Sequence, residues 1–521
     1  MRLSKFARFG IDLCKSNSMS QNLHTVTPSH LYDYLQCPHK VWRDVHGPLE
    51  DFVEEENPFL KLLWERGVQH EADVVAKLGF AFLDCSQGSE AERIEATNQA
   101  LARGEPYIYQ GVLAHGDLFG IPDLLHYDGS EYIPIEIKSG SAEDGGNEDS
   151  AGKLKKHYAV QLALYCEILQ RRGLHASFKA FVIDSSGERF EYDLRKSQGP
   201  KSPETYLDLY SRVRHEVVAL MSGESQNDPA MCGACKQCGW TASCKKWAKD
   251  TDDLTQVFYV GRTVRDTIRR DIGASSISEL LRQDPAALVE RKKTEKGFLK
   301  GLGASTLEKI AVRGRLLKEG GEPIIHSAFA FPEVRAELFF DIESDPTQDF
   351  IYLHGFWVRD GAGERFDHTV ATAVTPDEEK KAWRKAIEFI LSFDHNDSAV
   401  YYYSSYEKTS YRRLRQKYPE VISEEDLELI FSRPTCIDLY EIVFKNTDWP
   451  LGSYGIKAIA QYLGFDWRDK TPSGALSIQW FNEFIKTGDQ ALLDRILKYN
   501  EDDCKATVIV KDYLQQRMET I

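Results

Sequence analysis

The segment "CKQCGWTASC" places Cys235, Cys238 and Cys244 at C-x2-C-x5-C spacing, in a 521-residue chain that has ten cysteines in all. The basic opening "MRLSKFARFGIDLCKSNSMSQ" has no apolar stretch of the kind a secretory signal needs. The chain is therefore expected in the cytoplasm, where clustered cysteines indicate metal rather than disulfides. Three thiolates leave a four-ligand site one short. Cys37, in "YLQCPHK" about 200 residues upstream, is the candidate fourth ligand. If it serves, the whole segment between must fold back on itself, which no other feature of the sequence demands. Four thiolates suit zinc or an iron–sulfur cluster. Cys232 keeps an alternative open, because Cys232, Cys235, Cys238 and Cys244 permit an all-local zinc site. Cys14, Cys85, Cys166, Cys436 and Cys504 are isolated and read as small buried apolar residues.

A chain of this length exceeds one ordinary core, so two or three domains are expected. No apolar run reaches the roughly 18 residues of a membrane span, and no membrane partner is expected. The net charge of −16 excludes a uniformly basic surface but not a local patch. Residues 262–318 hold such a patch, with fourteen Lys/Arg against seven Asp/Glu. Composition and periodicity divide the chain into a flexible tail (1–24), an α/β region (25–250), short basic helices separated by glycines (255–325) and a second α/β region (333–521). The first region opens on the helical pattern "TPSHLYDYLQ", with Ser29 as its expected N-cap. Strand-like runs follow, joined by a "DGS" hairpin turn, and "GSAEDGGNEDSAGK" reads as a mobile loop.

Two places concentrate carboxylates. In "GIPDLLHYDGSEYIPIEIKSG", Glu136 and Lys138 lie two apart on one strand and so face the same side, and the hairpin brings Asp123 alongside. Two carboxylates can hold a divalent cation, and a neighbouring lysine can stabilise developing charge, which suits metal-assisted phosphodiester hydrolysis. His70, on a preceding helix, offers an imidazole. Gln161 and Tyr165, four apart on the next helix, share a face. In order, His70, Asp123, Glu136-Ile137-Lys138 and Gln161-x-x-x-Tyr165 resemble the RecB-type branch of the PD-(D/E)XK nucleases. That resemblance implies a restriction-endonuclease-like fold. His70, Asp123 and Glu136 would bind metal, Lys138 would be catalytic, and Gln161 and Tyr165 would contact DNA. One remote cysteine plus C-x2-C-x5-C resembles the iron–sulfur staple of such nucleases, implying a 4Fe–4S cluster on Cys37, Cys235, Cys238 and Cys244.

The second place is "ELFFDIESDP", where Asp341 and Glu343 share a strand face, followed by "YNEDD", where Tyr499 and Asp503 share a helical face. These resemble the first and third motifs of the DEDD exonucleases, which have a ribonuclease-H-like fold. The usual second motif, Asn-x-x-x-Phe-Asp, is departed from: Tyr402 stands at the Asn position and Tyr406-Glu407 at Phe-Asp. Glu407 is longer by a methylene, and Asp438 is a further carboxylate able to compensate or merely to cap. The region from about 335 resembles the YprB-type domain fused behind RecB-like nucleases. Between the two regions, "LKGLGASTLEKIA" resembles a helix-hairpin-helix, with Gly301 and Gly303 in the hairpin, Lys300 beside it and a helix starting near Ser305; "RDIGASSISELL" is its less regular partner.

The expected fold class is therefore multidomain α/β, with a small helical linker between a restriction-endonuclease-like and a ribonuclease-H-like domain. The expected function is a Mg²⁺- or Mn²⁺-dependent nuclease, an exonuclease acting on single- or double-stranded DNA ends in repair or end processing. The alternatives are a ribonuclease in RNA processing and a DNA-binding scaffold with a degenerate ribonuclease-H-like domain. No Gly-x-x-x-x-Gly-Lys-Ser/Thr loop is present, so a helicase, if one takes part, is expected to be a separate chain.

Overall fold

A computed structural model describes residues 25–53, 58–144, 152–199 and 202–519. The expected flexible tail and the centre of the expected mobile loop lie outside the described residues. The chain forms two compact units, one of residues 1–56 with 63–247 and one of residues 57–62 with 248–521.

The first unit is built on a six-stranded sheet whose strands are neighbours in chain order: β1 (Leu83–Asp84), β2 (Tyr107–Tyr109), β3 (Leu124–Tyr127), β4 (Tyr132–Ile137), β5 (Lys179–Ile183) and β6 (Arg189–Asp193). β3 and β4 pair antiparallel through the expected turn, where Asp128 Oδ1 accepts from the Ser130 and Glu131 amides and Gly129 takes φ +98°. β4 and β5 run parallel, which requires a crossover. The helix Lys156–Arg171 supplies it and buries Val160, Leu164 and Ile168 in the core. The helix Pro28–Gln36 packs on that helix and on Tyr206–Ser222, and the helix Pro38–His46 packs on Tyr206–Ser222. The first of them is capped by Thr27, not by Ser29: Thr27 Oγ1 accepts from the His30 amide. Pro28 suits the first helical position, because its missing N–H is an orphan there anyway, and this places the cap at Thr27, two residues before Ser29.

In the second unit a helical module precedes a five-stranded sheet. The helices Arg262–Ile272, Ile277–Leu281, Pro285–Thr294 and Ala304–Glu319 enclose Ile268, Ile277, Leu299, Leu302, Leu307 and Ile310. Gly273 (φ +78°) and Gly301 (φ +86°) make the turns that a side chain resists. The Leu299 amide donates to Asp271 Oδ2 at 2.7 Å, tying one helical pair to the other. Two of the fourteen basic residues here are structural rather than superficial. Arg265 faces Asp253, and Arg313 donates to Asp448 Oδ1 at 2.6 Å while lying over Phe258 and Tyr454.

The sheet of the second unit contains β7 (Ala336–Asp345), β8 (Phe350–Asp360), β9 (Gly363–Val370), β10 (Ser398–Tyr402) and β11 (Cys436–Asp438), in the order β9-β8-β7-β10-β11. Period-two alternation splits β7 between two faces. Leu338, Phe340 and Ile342 enter a core with Trp383 and Tyr411, while Phe339 packs on the opposite face with Val508 of the long helix Gln490–Glu519. Asp341 and Glu343 lie in register with Phe339, which directs them to the side of that helix.

Candidate functional site

The register of the β3–β4 hairpin pairs Leu124 with Ile135, so Asp123 falls opposite Glu136. Asp123 Oδ2 accepts from the Ile137 amide at 2.7 Å. Glu136 is 2 % exposed, and its Oε2 takes a 2.5 Å ion pair from Lys138 Nζ, while its Oε1 is buried with no hydrogen-bond partner among the described residues. Burial, then the Glu136 charge, pushes the Asp123 carboxyl well above the usual range. Burial works against the Lys138 ammonium, but Glu136 and Asp123 outweigh it and raise its pKa. On the crossover helix, Gln161 Nε2 donates to Tyr165 Oη at 3.0 Å, and Tyr165 Oη donates to the Ile121 carbonyl at 3.4 Å. Gly120 makes room for this ring: a Cβ there would stand 2.4 Å from Tyr165 Cε1.

His70 Nε2 is buried without a hydrogen-bond partner among the described residues, yet His70, Asp123 and Glu136 do not gather within 4.8 Å of one another. The neighbouring Glu71, which sequence reasoning missed, reaches Asp123 through Gln110. Gln110 Nε2 donates to Glu71 Oε1 at 2.6 Å and to Asp123 Oδ1 at 3.1 Å, from a backbone at φ +52°. No pattern in the sequence announces this bridge, although a non-glycine residue held at positive φ is frequent at functional sites.

In the second unit, Asp341, Glu343 and Asp503 bring ligand oxygens within 4.8 Å of one another, the one such group among the described residues. β7 supplies the first two and the Gln490–Glu519 helix the third. Neutral donors hold them: Asn500 Nδ2 donates to Asp341 Oδ2 at 2.6 Å, Trp467 Nε1 to Asp503 Oδ1 at 2.8 Å, and Tyr352 Oη to Glu343 Oε2 at 3.4 Å. Asn500 fits because Gly355 faces Asp341 across the ladder, where a Cβ would lie 1.7 Å from Asn500 Oδ1. Burial, then Asp503, lifts Glu343 to about 8, and burial lifts Asp503 to about 6. Burial and Asp503 also raise the Tyr499 hydroxyl, which stays a neutral phenol.

Glu407 lies outside that group but close enough for its charge to be felt at Asp341; burial raises its own pKa to about 8, and Oε2 has no hydrogen-bond partner among the described residues. Tyr402, at the usual Asn position, packs its ring in the apolar core against Phe431. Between them Ser404 is held at φ +114°, its amide donating to Asp438 Oδ1. Asp438 also accepts from the Tyr440 and Glu441 amides, so it caps the helix Leu439–Asn446. Lys457, absent from the sequence reading, donates to Tyr499 Oη at 3.0 Å.

The cysteines come near one another in the first unit, although no three of them gather within 4.8 Å among the described residues. Cys37, Cys235, Cys238 and Cys244 line one cavity of about 150 Å³ together with Lys40, Arg43 and Trp240. Cys232 is exposed and not part of that lining; its Sγ lies 3.8 Å from Cys235 Sγ. The Cys232 thiol and amide hydrogen-bond Cys235 and lower its pKa to about 7, whereas burial lifts Cys244 to about 11. Cys85, Cys166 and Cys504 are buried, Cys436 is half-buried, and Cys14 lies outside the described residues. Among the described residues, no helix is long and apolar enough to cross a membrane.

No curated protein matches the chain. A family model of the PD-(D/E)XK nuclease superfamily matches residues 36–245, spanning Asp123, Glu136 and Lys138, and a model of the RNase_H superfamily matches residues 338–515, spanning Asp341, Glu343 and Asp503. The chain is thus a fusion of a PD-(D/E)XK nuclease superfamily domain with a C-terminal RNase H superfamily domain.

Proposed function

We propose that the chain is a divalent-metal-dependent DNA nuclease that works on strand ends, with one hydrolytic centre at Asp123, Glu136 and Lys138 and a second at Asp341, Glu343 and Asp503. The observation that carries this reading is the second group: three buried or half-buried carboxylates within 4.8 Å of one another, ion-paired to no lysine or arginine among the described residues. Such charges repel unless cations sit among them. The fit to Mg²⁺ or Mn²⁺ rests on an all-oxygen donor set and on the unpartnered Glu407 Oε2 and Glu136 Oε1. A bound Mg²⁺ or Mn²⁺ would supply polarisation of the phosphodiester and acidification of water.

The chain's own residues do the rest. Lys138 holds a fixed positive charge beside Glu136, where charge develops on a cleaved phosphate. The Ile137 amide and Gln110 keep Asp123 oriented. Gln161 and Tyr165 stand as a hydrogen-bonded pair for contact with the strand. In the second centre Asn500, Trp467 and Tyr352 fix the carboxylate oxygens, and Tyr499 offers a hydroxyl for holding a water. Residues 262–318 grip phosphates without reading sequence, through the Gly301–Gly303 hairpin, the start of the Ala304–Glu319 helix and Lys300. The second domain is of the YprB type.

Cys37, Cys235, Cys238 and Cys244 hold a 4Fe–4S cluster in this reading, because these four thiols line one cavity, with Cys232 beside Cys235 at its edge. The cluster joins the N-terminal helices to the C-terminal end of the first domain. Anaerobically purified protein is expected to be brown and iron-loaded and to lose its colour in Cys238→Ser; a colourless zinc protein indifferent to Cys37→Ser assigns the Cys232 site instead.

The deciding assay incubates the chain with end-labelled single- and double-stranded DNA and RNA in Mg²⁺ or Mn²⁺. DNA shortening from an end, abolished by EDTA, supports the reading. Cleavage of RNA alone moves it to RNA processing, and DNA binding without cleavage makes it a scaffold.

A further inference from the structure

We infer that Lys457 is a positioning residue of the second centre, acting through Tyr499; this deepens the nuclease reading of that site and rests on it. Lys457 lies on the short helix Ile456–Tyr462, outside the strand and helix that carry the carboxylates. Its ammonium donates to the Pro472 carbonyl at 2.6 Å and to Tyr499 Oη at 3.0 Å, and it lies 4.9 Å from the centroid of the Tyr499 ring. Its charge is felt by Asp341, Glu343 and Asp503 alike. Among the described residues it nevertheless makes no ion pair with any carboxylate, because the carbonyl and the hydroxyl hold it to one side.

That placement has a chemical consequence. A phenol has one O–H to donate and two lone pairs to accept with. A lysine ammonium can only donate, so it occupies one lone pair of Tyr499. The Tyr499 proton is thereby turned away from Lys457, on the helical face that Tyr499 shares with Asp503 one turn along. One lone pair remains, and it can accept only from a group that donates, such as a water. Lys457 thus fixes which way the hydroxyl points, leaves the three carboxylates unpaired for cations, and sets Tyr499 to receive a water beside them. Remove the ammonium and the phenol rotates among several partners; a group that rotates no longer holds a water in one attack geometry.

The test is a double-mutant cycle in the full-length chain carrying Lys138→Ala, so that trimming reports the second centre alone. Lys457→Met, Tyr499→Phe, the double variant and Lys457→Arg are compared for kcat, KM and Mn²⁺ affinity by calorimetry. Lys457→Met is expected to lower kcat about tenfold or more with KM within about twofold, the signature of a lost transition-state interaction. The double variant is expected to be no slower than Tyr499→Phe, and Lys457→Arg to recover most of the rate. Mn²⁺ affinity should rise in Lys457→Met, because a neighbouring positive charge has gone; a merely unfolded site would lose it. Additive losses in the double variant, or a rise in KM with kcat unchanged, overturn the inference and make Lys457 a direct strand contact. If the Lys138→Ala chain trims nothing, the activity assigned to the second centre fails by itself. Mn²⁺ affinity then decides the lysine: unchanged affinity in Lys457→Met overturns its placement, and tighter binding upholds it.

Discussion

The two acidic centres differ in where their counter-charge comes from. At the first, the chain supplies it: Lys138 stands two residues from Glu136 on the same strand face and pairs with it at 2.5 Å. At the second, Asp341, Glu343 and Asp503 are held by an amide, a phenol and an indole, all uncharged, and Lys457 is held off to one side. A buried carboxylate with its own lysine can stay ionised without help, whereas three clustered carboxylates without one cannot all ionise cheaply in a low-dielectric site. On the proposed reading the first centre is preorganised by the chain, and the second waits for cations. Each half of that contrast can be broken separately.

The largest expected effect is at Lys138. In a background of Asp341→Asn with Asp503→Asn, which silences the second centre, Lys138→Ala should cut the remaining nuclease rate about 100-fold or more, the scale of losing one preorganised charge-stabilising group. Circular dichroism should show the fold intact, since Lys138 lies at the edge of the core. Wild-type cleavage by this variant in Mn²⁺ would remove Lys138 from the chemistry and erase the contrast.

Next comes cation dependence. Adding Mn²⁺ at about 100 times its Kd should stabilise the second domain by about 2.7 kcal/mol, since a ligand that binds only the folded state shifts the equilibrium by mass action. Asp341→Asn with Asp503→Asn should abolish that gain in a thermal melt, whereas Lys138→Ala should leave it. An equal loss in both variants would mean that the two centres depend on cations alike.

What the sequence could show follows from how each contact is made. Asp341 and Glu343, or Glu136 and Lys138, share a face because strands alternate, and Tyr499 and Asp503 do because helices repeat near four. These pairs can be read without a structure. Glu71, Gln110, Lys457 and Trp467 come from separate elements, with no spacing that links them to the carboxylates, and only tertiary packing brings them there. Gly355 lies between the two cases. A glycine inside the apolar run "FIYLHGFWV" signals close approach of another group, but not that the group is Asn500. Ser29 against Thr27 shows the same limit at short range, where a proline decides which of two good caps is used.

Gly355→Ala tests that close approach and should have a smaller effect. The new Cβ cannot share space with Asn500 Oδ1 at 1.7 Å, so Asn500 must leave Asp341. Overpacking of this kind costs about 1–3 kcal/mol. Trimming by the second centre should fall by about tenfold, with cleavage at the first unchanged. Activity equal to the parent would show that Asn500 does not orient Asp341.

The smallest effect at neutral pH, and the one that separates the acidic centre from the core beneath it, concerns His354. It stands on β8 opposite Ile342, fully buried, with Nδ1 3.0 Å from Tyr411 Oη, and burial lowers its pKa to about 3. A histidine whose folded pKa lies below its unfolded value of about 6.5 contributes stability that is fully present above that value and lost as pH falls toward 3. Glu343 and Glu407, raised to about 8, act in the opposite sense: in the cation-free protein their contribution is present below their unfolded values near 4.5 and lost as pH rises toward 8. The two windows overlap between about 4.5 and 6.5, where two glutamates outweigh one histidine, so in thermal melts from pH 4 to 8 the acid slope should emerge only with saturating Mg²⁺, which removes the opposed one. His354→Gln should flatten the acid slope and change little at pH 7.5. An acid slope that persists unchanged in His354→Gln would place the acid sensitivity outside His354.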